Sequence, residues 1–269
     1  MKIVTSSTEL ADGCAFVPTM GALHAGHASL FELARKRSEF VVASIFVNPI
    51  QFEDQEELSK YPRTPERDIE LAESSGVTHL WLPTYEEIYP ASFPKRSAGK
   101  LGEIFEGASR AGHFDGVVTV VARLFELVRP KVAIFGEKDF QQLSLIRKLV
   151  TDLNLDIEII TAPTIREADG LAMSSRNVRL DQNAREQALV LFRALSAAAA
   201  ALDLKSAQSA LHEVAKLQSG FTLDYAEIVD EKDFSLATES TQNKRAIIAG
   251  WLNGVRLIDN MEMKLGATR

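Results

Sequence analysis

The chain has 269 residues, a mass of 29.6 kDa and a formal net charge of -7, with 46% hydrophobic and 25% charged side chains. At roughly 150 residues per domain this allows one large domain or two modest ones, and the composition excludes global disorder. The acidic balance argues against a broad nucleic-acid surface, the single cysteine, Cys14, cannot form an intrachain disulfide, and no run of about 18 apolar residues offers a membrane span.

In chain order, Cys14–Pro18 predicts a strand and Gly26–Arg37 a helix with Leu30, Leu33 and Ala34 on one side. Phe40–Val47 is a continuous apolar run, the pattern of a strand buried on both faces. Gln51–Tyr61 is acidic and loop-like, as is Tyr89–Gly102, and either is a candidate mobile lid. Pro65–Ser75 predicts a helix and Thr78–Leu82 a strand. Val117, Val121, Leu124 and Val128 recur at helical spacing, so Asp115–Val128 is expected as a helix despite its valines. Val132–Phe135 predicts a strand, Phe140–Leu153 a helix and Glu158–Ala162 a strand. This alternation implies an α/β fold with a parallel sheet covered by helices.

After about Pro163 the texture changes. Gln182–Leu202 predicts one long alanine-rich helix and Leu204–Ser219 another. Strands are expected at Asp224–Val229, Arg245–Trp251 and Val255–Ile258. The expected organisation is therefore a larger domain over 1–164 and a smaller C-terminal α+β domain over 165–269, sharing a cleft.

Five segments carry polar chemistry. Pro18-Thr19-Met20-Gly21-Ala22-Leu23-His24-Ala25-Gly26-His27 runs from the first strand into the first helix. Parallel sheets bind ligands beyond the carboxyl ends of their strands, and a helix start with unpaired N–H groups suits a phosphate. Gly21 and Gly26 allow close backbone approach. His24 and His27, three apart, face one side and can donate to phosphate oxygens. The second segment, Gly136-Glu137-Lys138-Asp139, ends another strand. Lys138 offers a point charge to phosphate; Asp139 is a candidate to orient it, to cap the next helix or to hold a magnesium-bound water.

The third segment is Met173-Ser174-Ser175-Arg176-Asn177, where two hydroxyls beside a guanidinium can grip phosphate. The Asp169-Gly170 turn puts it on a loop. Asn48-Pro49-Ile50-Gln51-Phe52 places two neutral amides at a strand end. Gly107–Phe114, with Arg110 and His113, reads by itself as a surface turn with a solvated Arg. His79 and His212 fall in regular elements and read as structural. No zinc-type spacing, Walker loop or Gly-x-Gly-x-x-Gly is present.

Taken in order, Val17–Leu30, Phe46–Phe52, Tyr61-Pro62-Arg63, Gly107–Val121, Phe135–Leu143, Met173–Asn177 and Arg256–Asn260 resemble the pantoate–β-alanine ligase family, the pantothenate synthetases. That family is similar to the wider nucleotidylyltransferases and class I tRNA synthetases. The resemblance implies a Rossmann-like ATP domain of the nucleotidylyltransferase type, a C-terminal lid domain, a cytoplasmic homodimer and magnesium. It implies two half-reactions on the way to pantothenate and coenzyme A: adenylation of pantoate by ATP, then capture of the acyl adenylate by β-alanine. Carried over by position, Met20–His27, Gly136–Asp139, Ile165 and Met173–Arg176 contact ATP, with His27 as proton donor. Gln51 and Gln142 hold pantoate, with Asn48, Pro18 and Thr19 beside them; Arg110 and His113 sit nearby without an assigned role, and no metal ligands are identified. The sequence has Ala111 where the family pattern has proline, and Ile50 for a common leucine.

The chemistry of the residues agrees with this. Neutral amides can position a carboxylate nucleophile without lowering its ground state as an Arg would. The cations Lys138 and Arg176 then address the triphosphate. Two other readings share much of the pattern: a nucleotidylyltransferase acting on a phosphorylated acceptor, whose pocket would want extra cations, and a catalytically silent nucleotide-binding module.

Overall fold

A computed structural model describes residues 1–53, 55–91 and 93–265. The chain divides into two compact units, Met1–Ile165 and Arg166 onward.

In the first unit, β1 (Lys2–Val4), β2 (Ala15–Thr19) and α1 (Ala25–Arg37) lead to β3 (Val41–Ile45), α2 (Gln55–Ser59) and α3 (Pro65–Ser74). Then come β4 (His79–Trp81), α4 (Tyr85–Ile88), α5 (Glu106–Ser109), α6 (His113–Val128), β5 (Val132–Gly136), α7 (Phe140–Asp152) and β6 (Glu158–Ala162). The six strands form one sheet in the order β1-β4-β3-β2-β5-β6, with every pairing parallel. One face packs on α1 through Ala15, Val17, Ala43, Leu80, Ile134, Phe31 and Ala34, all buried.

This order decides where chemistry can collect. From β2 the chain crosses to β3 on one side, while β5 flanks β2 on the other. That reversal opens a crevice beyond the carboxyl ends of β2 and β5. The two segments after those strands, Met20–His27 and Glu137–Asp139, therefore emerge side by side although more than a hundred residues separate them. The turn after β3, with Asn48 and Gln51, emerges on the other flank of β2.

Several sequence expectations are corrected. Gln51–Tyr61 is not simply a loop: α2 occupies Gln55–Ser59, with Lys60 paired to Glu56 at its end and the Tyr61 ring 5.8 Å from Phe52. Lys2–Val4 and Tyr85–Ile88 are regular elements too short to announce themselves by periodicity. The valines of α6 are tolerated because twelve of its sixteen residues are buried, so packing overrides propensity.

The second unit contains α8 (Gln182–Ala188), α9 (Val190–Ala199), α10 (Leu204–Lys216) and an antiparallel sheet of β7 (Phe221–Asp230), β8 (Lys244–Leu252) and β9 (Val255–Met263). The single helix expected over 182–202 is broken at Leu189, which lets Ala184 and Ala188 before the break share one core with Leu191, Leu195 and Ala198 after it. The strands are longer than expected, β9 most of all, and their sheet buries charged residues as ion pairs: Arg245 with Glu231, Arg256 with Asp224, and Asp259, in the extension of β9, with Arg166 bidentate at 2.6 and 3.0 Å.

Within the first unit, α6 meets the turn after β3 at Gly116. A Cβ there would lie 2.6 Å from both the Gln51 Cα and the Ile50 carbonyl oxygen, which are backbone atoms without slack. Gly116→Ala should therefore lower stability by about 1–3 kcal/mol, measured by urea unfolding, and displace the Gln51 turn.

Candidate functional site

Thr19 ends β2. Its hydroxyl donates to the Ser44 carbonyl at 2.7 Å and accepts weakly from the Gly21 N–H at 3.3 Å. The chain then turns through two left-handed residues, Gly21 (φ 79°) and Ala22 (φ 50°). Gly21 is required there, since a Cβ would meet Asp68 Oδ2 and Ile45 Cγ2, each at 3.0 Å. Asp68, buried on α3, holds the turn from below. Its Oδ2 accepts from the Ala22 N–H at 2.9 Å and its Oδ1 from the Leu23 N–H at 2.7 Å and the Thr64 hydroxyl at 2.9 Å. No sequence motif singles out Asp68; its only signal is an acidic residue in the first turn of a helix.

His24 is the N-cap of α1. Its Nδ1 accepts from the Gly26 N–H at 3.1 Å, and the His27 Nδ1 accepts from the His24 N–H at 3.2 Å. This is a capping box built from two histidines, with ring centroids 4.1 Å apart. The expectation of unpaired N–H groups at this helix start is narrowed: those of His24 and Gly26 are used by the caps, and those of Ala22 and Leu23 before it by Asp68. What the segment offers instead follows from the caps. A nitrogen that accepts carries no proton, so in the neutral ring the proton of each histidine is on Nε2. Two Nε2–H donors result, with tautomers set by backbone.

Both rings are neutral at ordinary pH. Burial pulls His24 down to about 4, with the Lys138 ammonium adding to the effect and Asp139 opposing it. Burial pulls His27 down to about 3, with His24 next in effect, Asp139 opposing and Lys138 adding. That coupling also shows that the β2 and β5 ends share one electrostatic site. Lys138 is half-buried, its Nζ 3.6 Å from Asp139 Oδ1. Of the three roles left open for Asp139, capping is not the one used: it is the N-cap of α7 but its side chain makes no capping bond. Gly136 ends β5 and Glu137 opens the turn between β5 and α7.

The neutral amides lie on the other flank. Asn48 and Gln51 are buried, and Asn48 Nδ2 donates to Gln51 Oε1 at 2.9 Å. Gln51 Nε2 donates to Met20 Sδ at 3.1 Å, joining this turn to the histidine loop. Pro18 and Thr19 pair with Ser44 and Ile45 beneath. Gln142 is half-buried on α7; its neighbour Gln141 is the one committed to structure, donating to the Leu101 and Ile104 carbonyls and accepting from the Glu106 N–H. These three bonds bracket Phe105, whose φ of 49° is unusual for a bulky residue.

Arg110 is not a solvated surface arginine. Its side chain is 12% exposed and meets Glu57 Oε2 at 3.3 Å, Glu106 Oε1 at 3.8 Å and His113 Nε2 at 3.1 Å. Because the guanidinium can only donate, His113 presents Nε2 as acceptor and donates from Nδ1 to the Gln51 carbonyl at 2.9 Å. The Gly107–Phe114 segment thus supports Gln51.

In the second unit, Met173–Arg176 is on a loop, with Ser174 capping the turn Ser175–Arg179 through the Arg176 N–H. A small hairpin bridging Arg166 and Ala172, with Gly170 at φ 99°, leads into it, and Asn177 ties it to Glu167 and the Ala172 carbonyl. Ile165 is the last residue of the first unit. Among the described residues no group of three His, Cys, Asp or Glu is placed to hold a metal ion, and no helix is long and apolar enough to cross a membrane.

Comparison with known proteins supplies an independent result. The family model described as pantoate-beta-alanine ligase matches residues 2–262. A pantothenate synthetase of Acidothermus cellulolyticus is 49% identical over 93% of this chain and 85% of that protein. The Thermus thermophilus pantothenate synthetase is 45% identical over 98% of this chain and 99% of its own length, and its crystal structure superposes with a TM-score of 0.93. A Francisella tularensis pantoate-beta-alanine ligase, crystallised with β,γ-ATP and β-alanine, has a TM-score of 0.81 at 34% identity, covering 100% of this chain and 99% of that one.

Two predictions follow from the geometry of the β2 loop. Asp68→Ala strands two backbone donors, so unfolding stability should fall by roughly 2–4 kcal/mol at about 1–3 kcal/mol per buried orphan donor, read by urea titration. The histidines bear on pH. Their folded values lie below the ordinary 6.5, so the unfolded chain takes up protons first as pH falls, and stability is lost from about 6.5 downward until the folded rings protonate near 4 and 3. Imidazole proton shifts of His24 and His27 should stay flat between pH 5.5 and 8 in an NMR titration (bounds chosen around the unperturbed value of about 6.5); a midpoint inside that window would contradict the capped, neutral state.

Proposed function

This chain belongs to the pantoate–β-alanine ligase family, and on that footing we propose that it condenses pantoate with β-alanine at the expense of ATP, yielding pantothenate, AMP and pyrophosphate, a step toward coenzyme A. The observation that carries the reading is the pairing of two unlike strand ends. Neutral donors and a lysine lie beyond β2 and β5, and a buried amide pair lies beyond β3, joined to them through Met20 and Gln51.

In the proposed first step a pantoate carboxylate oxygen attacks the α-phosphorus of ATP, and the bond to pyrophosphate breaks. Gln51 and Gln142, with Asn48 behind Gln51, hold the acyl substrate without a cation to quench its nucleophile. His24 and His27 donate from Nε2–H to phosphate oxygens, and Lys138 adds charge where negative charge grows. His27 acts as hydrogen-bond donor in neutral form, which needs no imidazolium at neutral pH. Ile165, Met173, Ser174, Ser175 and Arg176 are proposed as further ATP contacts, with Ser174 and Arg176 supplying a hydroxyl and a guanidinium. In the second step the β-alanine amine attacks the acyl carbon of the adenylate and the bond to AMP breaks.

Magnesium is part of the proposal. The ion is held well by one or two carboxylates plus phosphate oxygens, so a three-carboxylate cage is not needed. Asp139, beyond β5 and beside Lys138, would hold the ion through a bound water. When bound, the ion would neutralise charge on the departing pyrophosphate. The larger unit is proposed as the ATP and pantoate domain. A cytoplasmic homodimer belongs to the same reading, and light scattering should then report about twice 29.6 kDa.

The test is direct. Protein supplied with ATP, magnesium, pantoate and β-alanine should release AMP and pantothenate in equal amounts; ADP and phosphate would exclude the adenylate route. His27→Ala should cut kcat by about a hundredfold or more, the range for loss of one preorganised donor, with the circular dichroism of the folded protein retained. Gln142→Ala should raise the pantoate KM more than the ATP KM.

A further inference from the structure

We propose that Tyr89 is a positioning residue for the acyl-substrate end of the site, acting through Asn48 to fix which face of the Gln51 amide meets the substrate. The inference rests on the reading of Gln51 as a pantoate ligand.

The chain of bonds has one direction. The Tyr89 hydroxyl donates to Asn48 Oδ1 at 2.7 Å. Asn48 Nδ2 donates to Gln51 Oε1 at 2.9 Å and to the Gly116 carbonyl at 3.2 Å. A backbone carbonyl can only accept, so the Gly116 contact fixes the Asn48 amide with nitrogen on that side. Its oxygen therefore faces Tyr89 and, with Asn48 1% exposed, needs a hydrogen-bond donor, which the Tyr89 hydroxyl supplies. Gln51 Oε1 is then occupied, and Gln51 is left to act through its NH2 group. The partner of that group is the Met20 thioether, a weak acceptor. A carboxylate or hydroxyl oxygen of a substrate is a better one. Gln51 thus donates to the substrate, and the order Tyr89 to Asn48 to Gln51 is what makes it a donor.

The phenol is itself held in place. Tyr89 closes α4, and Arg123 of α6 donates to the Ile88 carbonyl at 3.2 Å and the Glu87 carbonyl at 3.1 Å just before it. The Tyr85 ring is 5.2 Å away and Phe46 is 6.2 Å away. Burial pushes the phenol above its ordinary value, so it stays protonated and remains a donor. The ring packing is separable from the hydroxyl, and this makes Tyr89→Phe an informative change.

In Tyr89→Phe the pantoate KM should rise about tenfold, the size of one lost buried hydrogen bond, while the ATP and β-alanine KM values stay within about twofold. Added to Gln51→Ala, the same change should have little further effect on the pantoate KM, because the two act as one unit. A lower kcat with an unchanged pantoate KM would mark a merely structural role and overturn the proposal. So would effects that simply add in the double variant. A wild-type chain that makes no pantothenate would instead overturn the parent reading. Side-chain amide resonances then still decide the positioning claim: the Gln51 NH2 signals should move in Tyr89→Phe, and signals left in place would overturn it.

Discussion

The site depends on one buried carboxylate. Asp68 accepts from two consecutive backbone donors, Ala22 and Leu23, just where the chain leaves the sheet and takes two left-handed residues in succession. A non-glycine residue at positive φ costs of order 1 kcal/mol or more, so Ala22 persists only because surrounding bonds over-determine it. The turn in turn sets the position of His24, which sets the start of α1. A charge on α3 therefore fixes where two imidazoles stand. The arrangement has a chemical consequence as well. Backbone donors of Ala22, Leu23, His24 and Gly26 are spent on Asp68 and on the caps, which is why the proposed reception of phosphate is assigned to side chains whose protons sit on known nitrogens.

This bears on the acidic balance of the chain. A net charge of -7 disfavours a polyanionic ligand over most of the surface. The proposed site at the β2 and β5 ends would meet the difficulty with few full charges: two neutral Nε2–H donors and one lysine. Neutral donors give up less in desolvation than an imidazolium pair would, and two protonated rings 4.1 Å apart would repel. Burial is what keeps both rings uncharged, and Lys138, the group proposed to meet phosphate, adds to that effect.

Much of this was legible in the sequence, for identifiable reasons. The strands of the sheet beyond β1 and the helices α1, α3, α6 and α7 announced themselves by apolar runs and helical spacing, and the segments at the ends of β2, β3 and β5 stood out because loops there combine glycine with polar groups. The His-x-Gly-His spacing was read as two rings on one side. It also encodes the reciprocal cap, since three residues is the separation of an N-cap from its N3 partner. Asp68 and Tyr89 were not legible. Each acts through contacts with residues 40 or more positions away, and neither belongs to a local pattern. Arg110 was misjudged alone because burial, not residue type, decides whether a guanidinium is solvated.

The amides show why such distant contacts matter to chemistry. A glutamine has a donor end and an acceptor end of nearly equal size, so its presence in a pocket does not say which end a substrate meets. In this protein the answer comes from both ends of the Asn48 amide, a carbonyl on α6 at its nitrogen and the Tyr89 hydroxyl at its oxygen. Gly116 approaches the Gln51 turn so closely that no side chain fits, and its carbonyl accepts from Asn48. That contact and the Tyr89 hydroxyl together hold the Asn48 amide, Asn48 occupies Gln51 Oε1, and the Gln51 NH2 group donates to the Met20 sulfur. A pocket poised in this way favours an oxygen acceptor over a donor. On the proposed role of Gln51, a substrate carboxylate would satisfy it without acquiring a full positive partner, which is the condition an acyl nucleophile needs.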